Sequence, residues 1–259
     1  MNVNAEPKTR LLWYRIFPSP LGHILIARSD RGIAAIEFLE PGKSLRASRL
    51  SRKPEIELAR DRGGQDIEGA CQDLLDYLRG RRRGFDWLLD LRWVRSEFHR
   101  SVLQATAAIP YGAVVSYAGL ARIVGRPSAA RAVAQALRWN PLPIVLPCHR
   151  VVGSSGALTG YAGNKVALKQ RLLSLEGVPT VQARKTGPLT IQIQAMYVNH
   201  PGQQVYCLPT CPSVLACGRA PLLRIASRKR AEEAGLAPCR ICRPDLNPLP
   251  RGPGRPVFS

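Results

Sequence analysis

Cys207 and Cys211, followed across residues 212–238 by Cys239 and Cys242, constrain the fold of this chain more tightly than any other feature. Each close thiol pair can cover one face of a tetrahedral ion, and four sulfurs select zinc over hard cations. Four thiols at these spacings seldom serve a hydrophobic core. The C-terminal part is therefore expected to fold around Zn2+ held by Cys207, Cys211, Cys239 and Cys242. Cys217 is the odd thiol between the pairs, while Cys71 and Cys148 stand apart. Seven cysteines distributed in this way suit a reducing, cytoplasmic location better than a secreted disulfide scaffold.

The 259 residues are 45% hydrophobic, which allows one large domain or two to three small ones with real cores. The polar start and an apolar segment broken by Arg15 and two prolines do not read as a signal peptide, and no apolar run approaches membrane-spanning length. Residues 11–40 alternate as strands do, with Ser29-Asp30-Arg31-Gly32 as the turn of a hairpin. Ile67, Ala70, Cys71, Leu74, Leu75 and Leu78 recur at helical spacing, placing Cys71 on a core face. A short strand is expected at Trp87–Leu91. Helices are expected after Ser96 up to Pro110-Tyr111-Gly112, from a Ser116 cap through Arg122, over Ala129–Trp139 and over Ala167–Glu176, with Ile144–Leu146 extended. Thr190–Val198 reads as a strand. The two short helices around Gly125-Arg126-Pro127-Ser128 make a helix-turn-helix candidate, a pattern shared by many proteins that never touch DNA.

A formal charge of +20 and an isoelectric point near 10.6 favour phosphate-rich partners over acidic small molecules. From Phe98 to Leu175 there is no Asp or Glu, whereas Arg100, Arg122, Arg126, Arg131, Arg138, Arg150, Lys165, Lys169 and Arg171 are present, as if to face a polyanion. Pro147-Cys148-His149-Arg150-Val151 lies inside that segment. A free thiol near pKa 8.5 is mostly protonated at neutral pH, so a nucleophilic cysteine needs a base or a positive environment. On the residues alone, Cys148 is an activated nucleophile, a cysteine hydrolase centre, or a buried structural thiol beside a solvent-facing His149.

Ile109-Pro110-Tyr111-Gly112, Ser116-Tyr117, Arg131-Ala132-Val133, Asn140-Pro141, Pro147-Cys148-His149-Arg150-Val151, Gly160-Tyr161-Ala162-Gly163 and Leu172-Leu173-Ser174-Leu175-Glu176-Gly177, in this order, resemble the O6-alkylguanine-DNA alkyltransferase family over about Trp13 to Gly177. The resemblance implies an irreversible, one-turnover transfer of an alkyl group from guanine O6 in double-stranded DNA to Cys148. It implies that His149 acts on the thiol through a water and that Glu176 orients His149. Asn140 would hold the active-site turn, and Tyr117 would assist proton donation to guanine or contact the rotated phosphate. Arg131 would enter the base stack from a recognition helix whose small residues Ala130 and Ala132 allow close approach, with Arg138 on the same helix facing DNA. Tyr161 would line the guanine pocket. The interval from Tyr161 to Glu176 is one residue longer than the usual family spacing, around Asn164-Lys165-Val166.

Tyr206-Cys207-x-Pro209-x-Cys211 and Ala234-Gly235-x-x-Pro238-Cys239-x-x-Cys242-Arg243-Pro244-Asp245 resemble the metal-binding, methylphosphotriester-repair domain of the bacterial adaptive-response protein Ada. That resemblance implies zinc and makes Cys207 a second methyl acceptor. Two features depart from it: the metal domain follows the alkyltransferase, and Leu208 replaces the usual arginine after the first cysteine. Arg219, Arg224, Arg228, Lys229, Arg230, Arg240 and Arg243 add further basic surface.

The expected fold is α+β: a small N-terminal sheet and helix domain (11–93, ribonuclease-H-like by the resemblance), a helical, winged helix-turn-helix-like catalytic domain (94–178), a linker (179–188), a small α/β zinc domain (189–247) and a disordered tail (248–259). The expected protein is a monomeric DNA-repair methyltransferase without membrane association. The rival readings are a non-enzymatic alkylation-damage-binding protein and a methylation-responsive transcription regulator.

Overall fold

The computed structural model describes residues 10–39, 45, 48–61, 64–94, 96–161, 165–182, 189–218 and 220–249. The chain forms two units, residues 1–95 with 141–145, and residues 96–140 with 146–259.

In the first unit, β1 (Arg10–Ser19), β2 (Gly22–Ser29) and β3 (Gly32–Phe38) make an antiparallel meander, and β4 (Ile56–Arg60) adds to β1 in parallel, giving the order β3-β2-β1-β4. The expected hairpin, β2 with β3, is thus one side of a larger sheet, with β3 at its edge. Ile24, Leu25, Ile26 and Ala27 are all buried, so β2 is covered on both faces, in keeping with its continuous apolar run. Helix α1 (Gln65–Leu78) buries Ile67, Ala70, Cys71 and Leu74, as their spacing predicts. Burial pushes the Cys71 thiol up to about 11, as befits an inert core residue.

The expected strand at Trp87–Leu91 does not form. Only an isolated bridge joins Leu89 to Ile33, with Leu88 78% exposed, because the two bonds around Ile33 exhaust the pairing. Close packing there demands glycine: a Cβ on Gly32, whose φ is +136°, would lie 2.2 Å from the Leu88 carbonyl oxygen. The segment expected to be extended before Cys148 is also different. Residues 143–145 are turns, since Pro141, Pro143 and Pro147 offer no ladder N–H and buried Ile144 takes φ +77°, a strained value for a β-branched residue.

The second unit begins with α2 (Glu97–Ala107), capped by Ser96, and β5 (Ala113–Ser116). Ser116 then caps α3 (Tyr117–Ile123), its hydroxyl accepting the Gly119 N–H at 2.9 Å. Helix α4 (Ala130–Arg138) follows, burying Val133, Ala136 and Leu137 and leaving Arg131, Ala132, Gln135 and Arg138 exposed. A 3-10 turn (Cys148–Arg150) leads into β6 (Val151–Val152), and α5 (Val166–Leu175) ends beside Glu176. Of Asn164-Lys165-Val166, where the family spacing lengthens, Asn164 lies outside the described residues, while Lys165 directly precedes α5 and Val166 begins it.

The linker expectation also changes. Thr180–Gln182 is a strand, β7, paired with β8 (Leu189–Ile191); residues 183–188 lie outside the described residues. The run expected as one strand to Val198 is β8, a 3-10 turn (Ile193–Ala195) and β9 (Tyr197–Asn199). After it come β10 (Val205–Tyr206), α6 (Pro212–Leu215), β11 (Leu223–Ile225), α7 (Arg228–Glu233) and β12 (Ala237–Pro238). Strand β11 pairs antiparallel with both β9 and β5, so one sheet, in the order β6-β5-β11-β9, runs through the second unit. Its core mixes Val114, Val152, Leu158 and Leu173 with Ile191 and Met196. Of the expected tail, residues 250–259 lie outside the described residues. Among the described residues no helix is long and apolar enough to cross a membrane.

Candidate active site and metal centre

Asn140, directly after α4, braces the turn that presents the thiol. Its Nδ2 donates to the Leu146 carbonyl at 2.7 Å and lies 3.1 Å from Cys148 Sγ. The Cys148 N–H reaches Leu146 O at 2.7 Å and the Arg150 N–H reaches Pro147 O at 2.9 Å, which closes the 3-10 turn. This tight turn sends His149 and Arg150 inward, so His149 is fully buried rather than solvent-facing.

Both meet Glu176. His149 Nε2 lies 2.6 Å from Glu176 Oε1, and Arg150 donates from Nε and Nη2 at 3.0–3.1 Å. Gly112 N–H donates to Oε2 at 2.9 Å, and Arg150 Nη1 donates to the Ile109 carbonyl at 2.6 Å. Burial opposes ionisation of Glu176, but Arg150, His149 and these bonds outweigh it and hold the carboxyl down at about 2. For His149 burial wins over the carboxylate, so its pKa falls below the ordinary value and the ring is neutral at pH 7. An ionised carboxylate must accept, so Nε2 carries the proton. Nδ1, buried and without a hydrogen-bond partner among the described residues, is left as a base.

Cys148 lines a cavity of about 690 Å3 together with Tyr117, Ala130, Arg131, Arg138 and Tyr161, a size typical of small-ligand sites. Asn140, His149 and Glu176 stand behind the cysteine. Ala132 is exposed on α4 but is not among the lining residues. Gln135 and Thr159 line the cavity too, although nothing in their spacing marked them.

Two residues of the basic segment turn inward instead of facing a polyanion. Arg150 is 6% exposed and Lys169 0%. Lys169 Nζ donates to the carbonyls of Val151 (2.6 Å) and Thr159 (3.0 Å) and to the Tyr117 hydroxyl (3.4 Å). Burial brings Lys169 down to about 8, partly offset by Cys148, and its bonds to Tyr117 and Thr159 put the cation behind two residues of the cavity wall. Tyr117 donates to the Thr159 carbonyl at 3.2 Å, and burial with the adjacent Cys148 pushes its hydroxyl up to about 12. Lys169 was hidden in the sequence because one lysine on an amphipathic helix looks like solvent face; the preceding acid-free stretch was its only signal.

The four cysteines of the C-terminal part come together as their spacing predicts, with ligand sulfurs all within 4.8 Å of one another and none in a disulfide. Four thiols at such separations suit tetrahedral zinc with bonds of about 2.3 Å. Leu208 N–H donates to Cys242 Sγ at 3.3 Å, and Ser213 Oγ contacts Cys211 Sγ at 3.0 Å. Burial and crowding by neighbouring thiols push Cys207 up. At Cys211 burial is outweighed by bonds from Ser213, which bring it down to about 7. Cys217 stays outside the cluster, 3.5 Å from His200 Nε2. Among the expected basic residues, Arg219 lies outside the described residues, and Arg224 and Arg230 are partly buried.

Residues 12–91 match the ribonuclease-like domain of 6-O-methylguanine DNA methyltransferase, residues 97–178 its DNA-binding domain, and residues 194–245 the metal binding domain of Ada. The methylated-DNA–protein-cysteine methyltransferase of Methanosarcina acetivorans is 37% identical over 166 residues, covering 64% of this chain and 99% of that protein. The chain belongs to the methylated-DNA–protein-cysteine methyltransferase family. The constitutive member from Bacillus subtilis is also 37% identical, over 64% of this chain and 96% of its own. The crystal structure of Mycobacterium tuberculosis O6-methylguanine methyltransferase superposes with a TM-score of 0.54 at 38% identity, covering 64% of this chain and 92% of that one. The structure of the M. tuberculosis protein in complex with DNA gives the same score at 36% identity, covering 63% and 92%. This methyltransferase therefore carries more chain than those relatives, including a zinc-binding domain of the Ada type.

Proposed function

We propose that the protein repairs double-stranded alkylated DNA by moving an alkyl group from guanine O6 to Cys148, once per molecule. The observation that carries this is the buried Glu176–His149 pair beside a cysteine that opens on a cavity walled by α4. His149 Nδ1 takes the thiol proton by way of a water, and Glu176 stabilises the resulting imidazolium. The sulfur attacks the alkyl carbon, an S–C bond forms, the C–O6 bond breaks, and the electron pair leaves on O6. Tyr117 is the proton donor placed to neutralise that oxygen, and Lys169 supports the charge.

A guanine O6 inside a duplex is out of reach, so the base must rotate out at a cost of a few kcal/mol. Arg131, exposed on the first turn of α4 at the cavity edge, is the side chain that fills the vacated stack. Exposed Ala132 leaves the helix surface low against the groove, while Arg138 and Tyr161 complete the wall. A full Ada-type domain with Cys207 as its first sulfur favours a second acceptor, Cys207, for methyl groups from DNA phosphotriesters. When bound, zinc keeps its ligand sulfurs deprotonated.

Intact mass and peptide mapping after incubation with DNA bearing O6-methylguanine, or separately a methylphosphotriester, test both. The expected result is one methyl on Cys148 from the first and one on Cys207 from the second. No adduct from O6-methylguanine refutes the main assignment and leaves damage binding in its place. No adduct from the phosphotriester removes the second acceptor.

A further inference from the structure

We propose that the zinc module is a working part of the Cys148 site, with Arg230 as a positioning residue that acts through the Tyr111-Gly112 turn on Glu176. This rests on Cys148 being the acceptor. Glu176 needs a fixed carboxylate geometry to orient His149, and one of its contacts is the Gly112 N–H at 2.9 Å. The same turn is gripped from the metal module. Ala226 N–H, directly after β11, donates to the Gly112 carbonyl at 2.8 Å, and β11 pairs Arg224 with Val114 and Ile225 with Ala113.

Side chains follow the same route. The Arg230 guanidinium lies 4.6 Å from the centre of the Tyr111 ring, and that of Arg150, which holds Glu176, lies 5.6 Å from it. The Tyr111 hydroxyl donates to the Leu175 carbonyl at 3.1 Å, one residue before Glu176. Gly112 fits between the modules only because it lacks a side chain: its φ is +76°, and a Cβ would lie 2.9 Å from Arg230 Cγ and 3.1 Å from the Glu176 carbonyl oxygen. Glu233 holds Arg230 by an ion pair of 2.8 Å.

The metal ligands share this framework. Cys207 exchanges two backbone hydrogen bonds, 2.9 and 2.7 Å, with Val198 of β9, and Val198 pairs with Arg224 of β11. Backbone bonds thus lead from a zinc sulfur's residue through β9 and β11 to β5 and the turn that holds Glu176. Cation–ring contacts of this kind are energetically comparable with a several-fold rate effect.

The test compares full-length, zinc-loaded wild type with Arg230→Met, which keeps the stem and removes the guanidinium, with Arg230→Lys, and with Arg228→Met as a control. Arg228 is on the same helix but bonds only outward, to Glu232 and the Asp245 carbonyl. Three quantities are read: zinc per chain, the single-turnover rate on O6-methylguanine duplex, and the pH profile of Cys148 alkylation by iodoacetamide, resolved by peptide mapping. Arg230→Met is expected to retain one zinc, to slow transfer roughly threefold to thirtyfold, and to move the Cys148 profile to higher pH. Lysine should restore part of both, and Arg228→Met, a control for loss of surface charge alone, should keep the wild-type iodoacetamide profile. A wild-type rate and profile in Arg230→Met with zinc retained overturns the proposal. If Arg230→Met does not fold, Arg230→Gln decides by the same readings. Wild type that accepts no methyl from DNA would refute the acceptor assignment instead, and the iodoacetamide profile would still judge Arg230.

Discussion

Replacing Glu176 by Gln removes one buried negative charge and leaves the shape of the side chain almost unchanged. Arg150, 6% exposed, then keeps its cation without the carboxylate that accepts three of its hydrogen bonds, and His149 loses the acceptor of its Nε2 proton. Breaking a buried ion pair from one side costs about 3–5 kcal/mol. Linkage leads to a similar figure. A carboxyl held at about 2 in the fold and near 4.3 in the unfolded chain contributes roughly 3 kcal/mol at neutral pH. In a unit of this size that amounts to a fall in Tm of roughly 6–20 °C.

The folded value is depressed, so this stabilisation is complete above about pH 4.3 and is lost as pH falls from there towards 2. Calorimetric unfolding of wild type and Glu176→Gln at a series of pH values checks both size and sign. Compared at each pH, loss of thiolate-held metal in acid falls on both proteins alike. The gap should be flat from pH 8 to 5.5 and narrow below about 4. A Tm difference under about 3 °C at pH 7, or a gap as wide at pH 3 as at pH 7, would show that Glu176 is not the ionised hub of the site.

Arg131→Ala should slow transfer from duplex DNA by one to two orders of magnitude while leaving the reaction with free O6-methylguanine base nearly unchanged, since only the duplex needs base extrusion; equal slowing of both substrates would contradict the intercalating role. Cys239→Ser should lower zinc content well below one per chain by elemental analysis, and full retention at unchanged affinity would exclude this sulfur as a ligand. Lys169 has a folded pKa of about 8, below its unfolded value near 10.4, so the unfolded chain binds more protons between these pH values and stability rises across that window by up to roughly 3 kcal/mol. Urea unfolding of Lys169→Met should lack that rise relative to wild type, and parallel pH dependences would count against a buried, partly charged lysine.

Elements with strong local signals were legible in the sequence. The Ser116 cap, the apolar spacing of α1 and the two cysteine pairs each state their structure within a few residues, and the structure has all three. The residues gathered at Cys148 were legible only through family motifs, because Glu176 and His149 are brought together by a tertiary fold that no local period encodes. Where interactions are non-local, the sequence was silent or misleading. Strand β4 is short and flanked by charged residues, and it exists because β1 offers it an edge. Ile144–Leu146 has strand composition, yet three prolines turn it. Arg150 and Lys169 counted as surface charge on composition and proved to be interior, since what distinguishes them is a carboxylate in one case and three oxygen acceptors in the other, all distant in sequence.

The register that sets Arg224 opposite Val114 has a consequence for how the protein is made. At a synthesis rate of about 5–20 residues per second, roughly 5–20 seconds separate the emergence of these partners from the ribosome. Throughout that interval β5 presents an unpaired edge, an invitation to pairing with other chains, and the turn that steadies Glu176 lacks its outer support. If the proposed support of Glu176 from the C-terminal module holds, the nascent protein carries Cys148 before the strand that steadies its surroundings, and full transfer activity comes only when that strand arrives.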